Sequence, residues 1–551
     1  MSKPLVLILG GYGGFGARLA RRLAGDGWQV LVGGRNLAKA RAFAATLPEG
    51  EGISADRGSD LVPLLEQHRP LLLVDAAGPF QGSSYCVVEA CLAAGVHYID
   101  LADGRDFVCQ INQFDRAAKQ TGLAVIGGGS SVPALSGAVV RELAAGMERV
   151  VAVDMAISAT TRASSGRSVV AAALSYAGKP IRLWRAGQQV EAHGWSLMRR
   201  EHFAVDGVAP LGRLVGLAEV PDLELMPDQL PGKPAVTFRG GSESGLQMRA
   251  LGVLSWIAAR GWLQRPARLA ALLAPLQQAS ARLGGTRSAM NVDVIGLAEG
   301  APLHRSWTLI AEQGLGQEIP TLAAQLLARR LRAGALAPGA RDASRELALA
   351  DFQPLLAELP LSQQVREGNV EPLYQRLLGE RFAAMSVPLR SMHAPLAETS
   401  AQGEARVERG RNPLARLLGW IMGFPAAGHY PLDVRFSPEA GTERWTRTFG
   451  SYRFSSEMAG SRDGLLIERF GPLRFTFRIV IDGEGALQLE LARWSAFHLP
   501  MPGFLAPKIA AREWDAGGRF GFDVGVTMPL IGPVVHYVGT LTLENSGLVL
   551  G

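Results

Sequence analysis

Gly11, Gly13 and Gly16 stand in the spacing G-x-G-x-x-G, directly after an apolar run over residues 5–9 and directly before a helical pattern. In that setting each glycine has its own use. Gly11 allows a tight turn, Gly13 lets a pyrophosphate approach the backbone, and Gly16 lets helix and strand pack closely. The helix that opens here aims unpaired N–H groups and its positive dipole end at the phosphates. Gly11, Tyr12, Gly13, Gly14, Phe15 and Gly16 therefore read as the phosphate turn of a dinucleotide site.

The end of the second expected strand bears on the choice of dinucleotide. An NAD site places Asp or Glu about 20 residues after the first glycine, to hold the ribose hydroxyls. Here the window ends in Gly33, Gly34, Arg35 and Asn36, with no acid. Arg35 offers a planar cation suited to a 2′-phosphate, which favours NADP, with NAD as the alternative if Arg35 only stacks on adenine. Asp56, after the third strand, is placed to meet the adenine amine or to sit in an exposed turn. Ala77, Gly78 and Pro79 follow the fourth strand at the carboxyl edge, where ligands collect in open α/β sheets, and are expected beside the nicotinamide.

Two carboxylates end the fifth strand at the same edge. Asp100 and Asp103 are candidates to orient or protonate a substrate nitrogen or carbonyl. The alternative is structural, with Asp103 capping the next helix and Asp100 bonding the backbone. His97 reads as a packed strand residue. Residues 127–133 would present N–H groups to a substrate anion or serve as a hinge. Arg162 and Arg167 are candidate carboxylate clamps. The remaining histidines form no spaced cluster, and no metal site is expected.

These residues need a parallel sheet to position them. Residues 1–130 alternate strand and helix, with strands over 5–9, 29–32, 53–55, 71–75, 97–101 and 123–126. Residues 131–350 mix helices (135–145, 169–177, 265–283, 319–332) with an antiparallel pair over 290–296 and 307–313, as a closing lobe would. Residues 394–412, rich in Ala, Gly, Glu and Arg, read as a long loop. Residues 371–551 form a third unit whose period becomes two, with apolar Leu473, Phe475, Phe477, Ile479 and Ile481 alternating with polar neighbours. The expected class is thus α/β: a Rossmann-like doubly wound parallel sheet, a mixed α+β substrate lobe, and a β-rich C-terminal domain built as an antiparallel, curved sheet.

Composition narrows the function classes. The chain has 551 residues, 48% hydrophobic and 19% charged, a globular balance. Its net charge is +6, but six of its 56 basic residues are lysine and no basic block occurs, so nucleic acid is not expected. The three cysteines, Cys86, Cys91 and Cys109, are odd in number, which suits a reducing cytosol. The N-terminus reads as strand rather than signal peptide, and no apolar stretch is long enough to span a bilayer. A cytoplasmic protein, with homodimerisation and peripheral membrane contact left open, is the expectation.

With these pieces placed, the chain resembles the saccharopine dehydrogenase-like superfamily. The resemblance rests on Gly10 to Gly16, on Gly34, Arg35 and Asn36, on Asp75 to Gln81, and on Ala93 to Asp100. It implies an NAD(P)-dependent oxidoreductase with a Rossmann domain and a mixed α/β lobe, a cofactor role for Gly11, Gly13, Gly16 and Arg35, and a nicotinamide-side role for Gly78 and Pro79. Residues 129–133 depart from the segment many relatives carry there, so no saccharopine-binding set is carried over. The tail from Leu373 resembles a domain of unknown function often fused to such reductases. Its arginines and glutamates near Trp445 and Glu468 would line a pocket or pair across a sheet face.

The leading expectation is hydride transfer between NADP(H) and a small or lipid-like imine, carbonyl or enoyl substrate, with Asp103 the first choice for a polar role. The rival is a dinucleotide-binding sensor or scaffold whose tail recruits a partner or lipid. In that rival the apolar segment 414–424 would lie at a membrane interface, the alternative being a helix in the core of the tail.

Overall fold

The structure is a computed structural model that describes residues 3–160, 173–185, 188–263, 269, 284–439, 441–497 and 499–543. The first sheet contains strands β1 (Leu5–Leu9), β2 (Gln29–Gly34), β3 (Gly50–Ser54), β4 (Leu72–Asp75), β5 (His97–Asp100) and β6 (Ala124–Gly127). Val6, Leu7, Ile8, Leu72, Leu73 and Val74 have no exposed surface, as strands covered by helices on both faces require.

The second sheet takes β7 (Arg149–Ala159), β10 (Arg199–Phe203), β11 (Leu211–Leu217), β12 (Ala235–Ser242), β13 (Ser288–Ala298), β14 (Ala301–Ala311) and β16 (Leu361–Asn369). A separate hairpin joins β8 (Pro180–Arg185) to β9 (Gln188–His193), and β15 is Gly339–Asp342. The second sheet runs β10-β11-β12-β7-β13-β14-β16, and the expected antiparallel pair is present with Met290 opposite Leu309. β15 leaves this lobe and lies parallel beside β6, so the first sheet has seven strands in the order β15-β6-β5-β4-β1-β2-β3. The helix Ile319–Arg332 returns with it and packs beside the helix Gly14–Gly25, where Arg329 pairs with Asp26 at 2.6 Å and Arg22 with Glu318 at 2.9 Å. Apart from residue 269, the expected helix over 265–283 lies outside the described residues, as do Arg162, Arg167 and the start, 169–172, of the helix expected over 169–177.

The tail is the expected antiparallel, curved sheet, and it closes on itself as a barrel. Its strands are β17 (Thr399–Arg409), β18 (Gly428–Glu439), β19 (Thr442–Phe449), β20 (Tyr452–Gly460), β21 (Leu466–Phe470), β22 (Leu473–Ile481), β23 (Leu487–Ala496), β25 (Lys508–Asp515), β26 (Phe520–Met528) and β27 (Gly532–Leu543). They are antiparallel neighbours in the order β22-β21-β20-β19-β18-β17-β27-β26-β25-β23, and β22 pairs again with β23, leaving only the short β24 (Leu499–Pro500) as an appendage. The stretch 394–412, expected as a loop, supplies β17. Ala401, Ala405 and Val407 face the barrel core while Gln402, Glu404 and Glu408 face out. A Cβ on Gly403 would come within 1.9 Å of the Thr540 carbonyl oxygen, so its smallness serves close strand packing rather than a turn. Trp445, Glu443, Arg447 and Glu468 are turned inward. Arg447 lies 3.7 Å from Glu468, and Trp445 Nε1 donates to Glu443 Oε1 at 2.5 Å. Burial pushes the Glu443 carboxyl up to about 7.

Candidate functional site

The glycine turn sits at the carboxyl end of β1, between β1 and β4, where the strand order reverses. Gly10 adopts φ +70°, and the Gly13 amide donates to its carbonyl at 2.8 Å. A Cβ on Gly16 would lie 2.2 Å from that carbonyl, and one on Gly11 2.9 Å from the Ile8 oxygen, so the turn tolerates neither substitution. Gly14, by contrast, faces open space. The helix Gly14–Gly25 starts there with no side-chain cap and no acid in its first turn. Its first amides lack intrahelical acceptors and are left for an anion.

Tyr12 lies across Gly34, where a Cβ would meet its ring carbon Cε1 at 2.2 Å, and its hydroxyl accepts the Asn36 amide at 3.1 Å. The Asn36 side chain caps the next helix by accepting from the Lys39 amide at 3.0 Å. Between them, Arg35 is exposed and makes no hydrogen bond or ion pair among the described residues. Asp56 is also exposed and bends its own turn, accepting from the Gly58 amide at 3.1 Å. The residues present thus fit a dinucleotide: a glycine cradle, free helix amides, and, among the described residues, an unpaired guanidinium just past the end of β2.

The opposite end is fixed by a residue the sequence reading did not single out. Arg57 donates to Asp75 Oδ2 at 2.7 Å and to Ser83 Oγ at 2.7 Å, and its guanidinium lies over the Phe80 ring at 4.6 Å. Asp75 is fully buried and also accepts the Ala77 amide at 3.0 Å. One carboxylate and one guanidinium therefore hold the turn through Ala77, Gly78 and Pro79 from both sides.

Asp100 and Asp103 occupy different settings. Asp100 is fully buried, and its Oδ1 accepts from the amides of Ala102 at 2.9 Å and Gly128 at 2.7 Å. Burial, with Asp75 nearby, pushes its carboxyl up to about 7. It does not line the cavity, so its geometry is that of a loop anchor rather than of a group touching substrate. The Gly128 amide, and the Gly129 amide bonded to the Asp100 carbonyl, are likewise spent inside the fold. Asp103 does not cap the following helix; Gly104 occupies that position. Its carboxyl is accessible at the cavity wall and accepts from Gln81 Nε2 at 3.0 Å. Desolvation by the surrounding protein raises its pKa, against that hydrogen bond.

The cavity measures about 880 Å³ and lies between the carboxyl edge of the first sheet and the face of the second. Phe15, Gly78, Pro79 and Asp103 come from one side. The other supplies Trp195, Phe238, Met248 and Trp307, so the walls are largely apolar. Tyr176 stacks on Trp195 with centroids 5.2 Å apart. Burial, reinforced by the charges of Asp103 and Glu219, keeps its hydroxyl protonated. Glu219 is half-buried in the same wall with its carboxyl raised by desolvation. Tyr176, Trp195 and Glu219 gave no signal in sequence because long-range pairing of the second sheet brings them here. None of the three cysteines lines the cavity; Cys91 is buried, Cys86 and Cys109 are half-buried, and all three thiols are free.

Residues 6–126 match the family described as the saccharopine dehydrogenase NADP binding domain, and residues 385–541 match a domain of unknown function, DUF4166. Among solved structures, the chain is similar to an amine dehydrogenase from Mycobacterium smegmatis, at 12% identity over 62% of this chain and 95% of that one, with a TM-score of 0.37. It is also similar to GenD2 from gentamicin A biosynthesis in complex with NAD, at 16% identity over 57% and 74%, with a TM-score of 0.27. A short chain dehydrogenase/reductase family oxidoreductase from Burkholderia thailandensis matches at 24% identity and a TM-score of 0.16, over 18% of this chain and about half, 51%, of its own length. No curated protein matches the chain.

Proposed function

We propose that this chain, a saccharopine dehydrogenase NADP binding domain joined through an α+β lobe to a DUF4166 barrel, is an NADP(H)-dependent oxidoreductase of an apolar, lipid-like carbonyl, imine or enoyl compound. The observation that carries this reading is the shared cavity, which joins the Gly78–Pro79 turn and Asp103 to an apolar wall from the second sheet. Its volume and lining suit a ligand with a long apolar body and one polar reactive group.

The dinucleotide, when bound, supplies the hydride. Gly11, Gly13, Gly14 and Gly16 would cradle its pyrophosphate, Tyr12, Arg35 and Asn36 its adenosine 2′-phosphate end, and Ala77, Gly78 and Pro79 its nicotinamide side. Arg35 in place of an acid favours NADP over NAD. Trp195, Phe238 and Trp307 exclude water and hold the apolar body. A carboxyl with a raised pKa remains protonated further toward neutrality, so Asp103 is suited to give a proton to the substrate oxygen or nitrogen as carbon accepts the hydride. Fluorescence titration with NADPH, followed by anaerobic mixing with medium-chain aldehydes, enals and cyclic imines, tests the reading. Tight binding with no oxidation by any of them would favour a sensor.

A further inference from the structure

Because the ten barrel strands are antiparallel, their connections alternate between two rims. The chain enters at one rim, at Thr399, beside the second lobe, where Arg185 pairs with Glu398 at 2.6 Å and Leu396 and Ala397 pack on Val151. Turns 461–465, 482–486 and 516–519 close that rim, and none of them exposes a large apolar side chain. The far rim holds the connections 410–427, 450–451, 471–472, 497–507 and 529–531.

That far rim is apolar and basic. The helix Pro413–Ile421 lies down on the barrel end, burying Ala415 and Gly419, and turns Leu414, Leu417, Trp420 and Ile421 outward. This corrects the expectation of a core helix in the tail. Trp420 is 77% exposed; Phe504 and Leu530, from two other connections, are 76% and 98% exposed. Phe497 and Leu499 join them. Arg411, Arg416, Arg453, Arg474 and Lys508 surround them, all exposed and none in an ion pair among the described residues. Residues 409–428, 449–453, 470–474, 495–508 and 527–534 contain no Asp or Glu.

We propose that this rim docks on an anionic phospholipid bilayer, with Trp420, Phe504 and Leu530 entering the acyl boundary and the five cations meeting headgroup phosphates. Aromatic and aliphatic tips ringed by unpaired cations are what such a surface attracts, and apolar groups this exposed mark an interaction site. A second copy of the chain fits less well, since a two-fold contact would set five unpaired cations against five more with no acid between them. The docking stands independently of the oxidoreductase reading.

Flotation of the full chain with vesicles of phosphatidylcholine alone, and of equal parts phosphatidylcholine and phosphatidylserine, tests it. Wild type is expected to float with the anionic vesicles and to be released by salt. Arg411→Ser/Arg416→Ser should lower partitioning about 25-fold, at roughly fivefold per cation. Trp420→Ser/Phe504→Ser should remain unbound, with unchanged melting temperature and NADPH affinity. Failure of wild type to float, flotation indifferent to these substitutions, or a dimer that Trp420→Ser dissolves would each overturn the proposal.

Discussion

Arg57 Nε donates to Asp75 Oδ2 at 2.7 Å, and Asp75 has no exposed surface. Burial raises the Asp75 carboxyl while the guanidinium opposes that rise. Removing one partner would strand the other charge. Arg57→Leu is expected to cost about 3–5 kcal/mol, read by denaturant unfolding, and to loosen the Gly78–Pro79 turn that Arg57 also grips through Ser83 and Phe80. The double variant Arg57→Leu/Asp75→Asn should recover much of that loss. No recovery would mean that the ring and hydroxyl contacts, rather than the ion pair, hold the turn.

Arg35 is exposed and has no protein partner to replace, so its substitution should leave stability unchanged. Arg35→Ala is expected to weaken NADPH about 10- to 100-fold, the worth of one charged hydrogen-bonding group, and NADH hardly at all. Fluorescence titration with both nucleotides reads the difference. Equal losses would remove the preference for NADP.

Asp100 sets a pH dependence of stability. Its carboxyl is raised from the ordinary carboxylate range to about 7 in the fold, so the folded state holds a proton that the unfolded chain has released. Its contribution is therefore fully favourable in acid and falls as pH rises from about 4 to 7, flattening above that. Asp100→Asn keeps an oxygen for the Ala102 and Gly128 amides and removes the titration, so its stability relative to wild type should rise over the same window. Asp100→Ala leaves both amides unpaired and should cost about 2–5 kcal/mol in acid, a cost that shrinks over the same window because the titration is lost with the carboxyl. Parallel unfolding curves for wild type and Asp100→Asn across that range would contradict the assignment.

Asp103 lies in the cavity with its pKa raised by desolvation, and a proton donor loses activity as pH rises through its pKa. Asp103→Asn should lower kcat for reduction about 100- to 1,000-fold, abolish that alkaline limb and leave NADPH affinity intact. Loss of NADPH affinity together with kcat would instead assign Asp103 to the architecture of the turn.

The first sheet was legible because its signals are local. β1 is a continuous apolar run, β4 is apolar up to Asp75, and glycines punctuate the turns at the carboxyl edge proposed to hold the dinucleotide. β15 was not, since residues 339–342 add an edge strand beside residues 124–127, far away along the chain, through pairing alone. β17 was misread for a physical reason: Gly403 and its alanine neighbours look like a loop, yet barrel closure demands small residues where strands cross closely. The site divides the same way. The proposed roles of the Gly11–Gly16 turn, Arg35 and Gly78–Pro79 rest on spacing, whereas Arg57 reaches the Gly78–Pro79 turn, and Tyr176 and Glu219 the cavity wall, by tertiary packing that no spacing records. Between the carboxylate that ends β5 and the one just beyond it, only geometry separates an anchor buried at Asp100 from a group facing the cavity at Asp103.

Anaerobic stopped-flow loss of NADPH absorbance, with wild type and Asp103→Asn mixed against medium-chain aldehydes, enals and cyclic imines, tests the central claim most directly. The account predicts oxidation by at least one of these classes in wild type and its near loss in Asp103→Asn, at equal NADPH affinity. NADPH that binds both proteins and is oxidised by none of the three classes would contradict it.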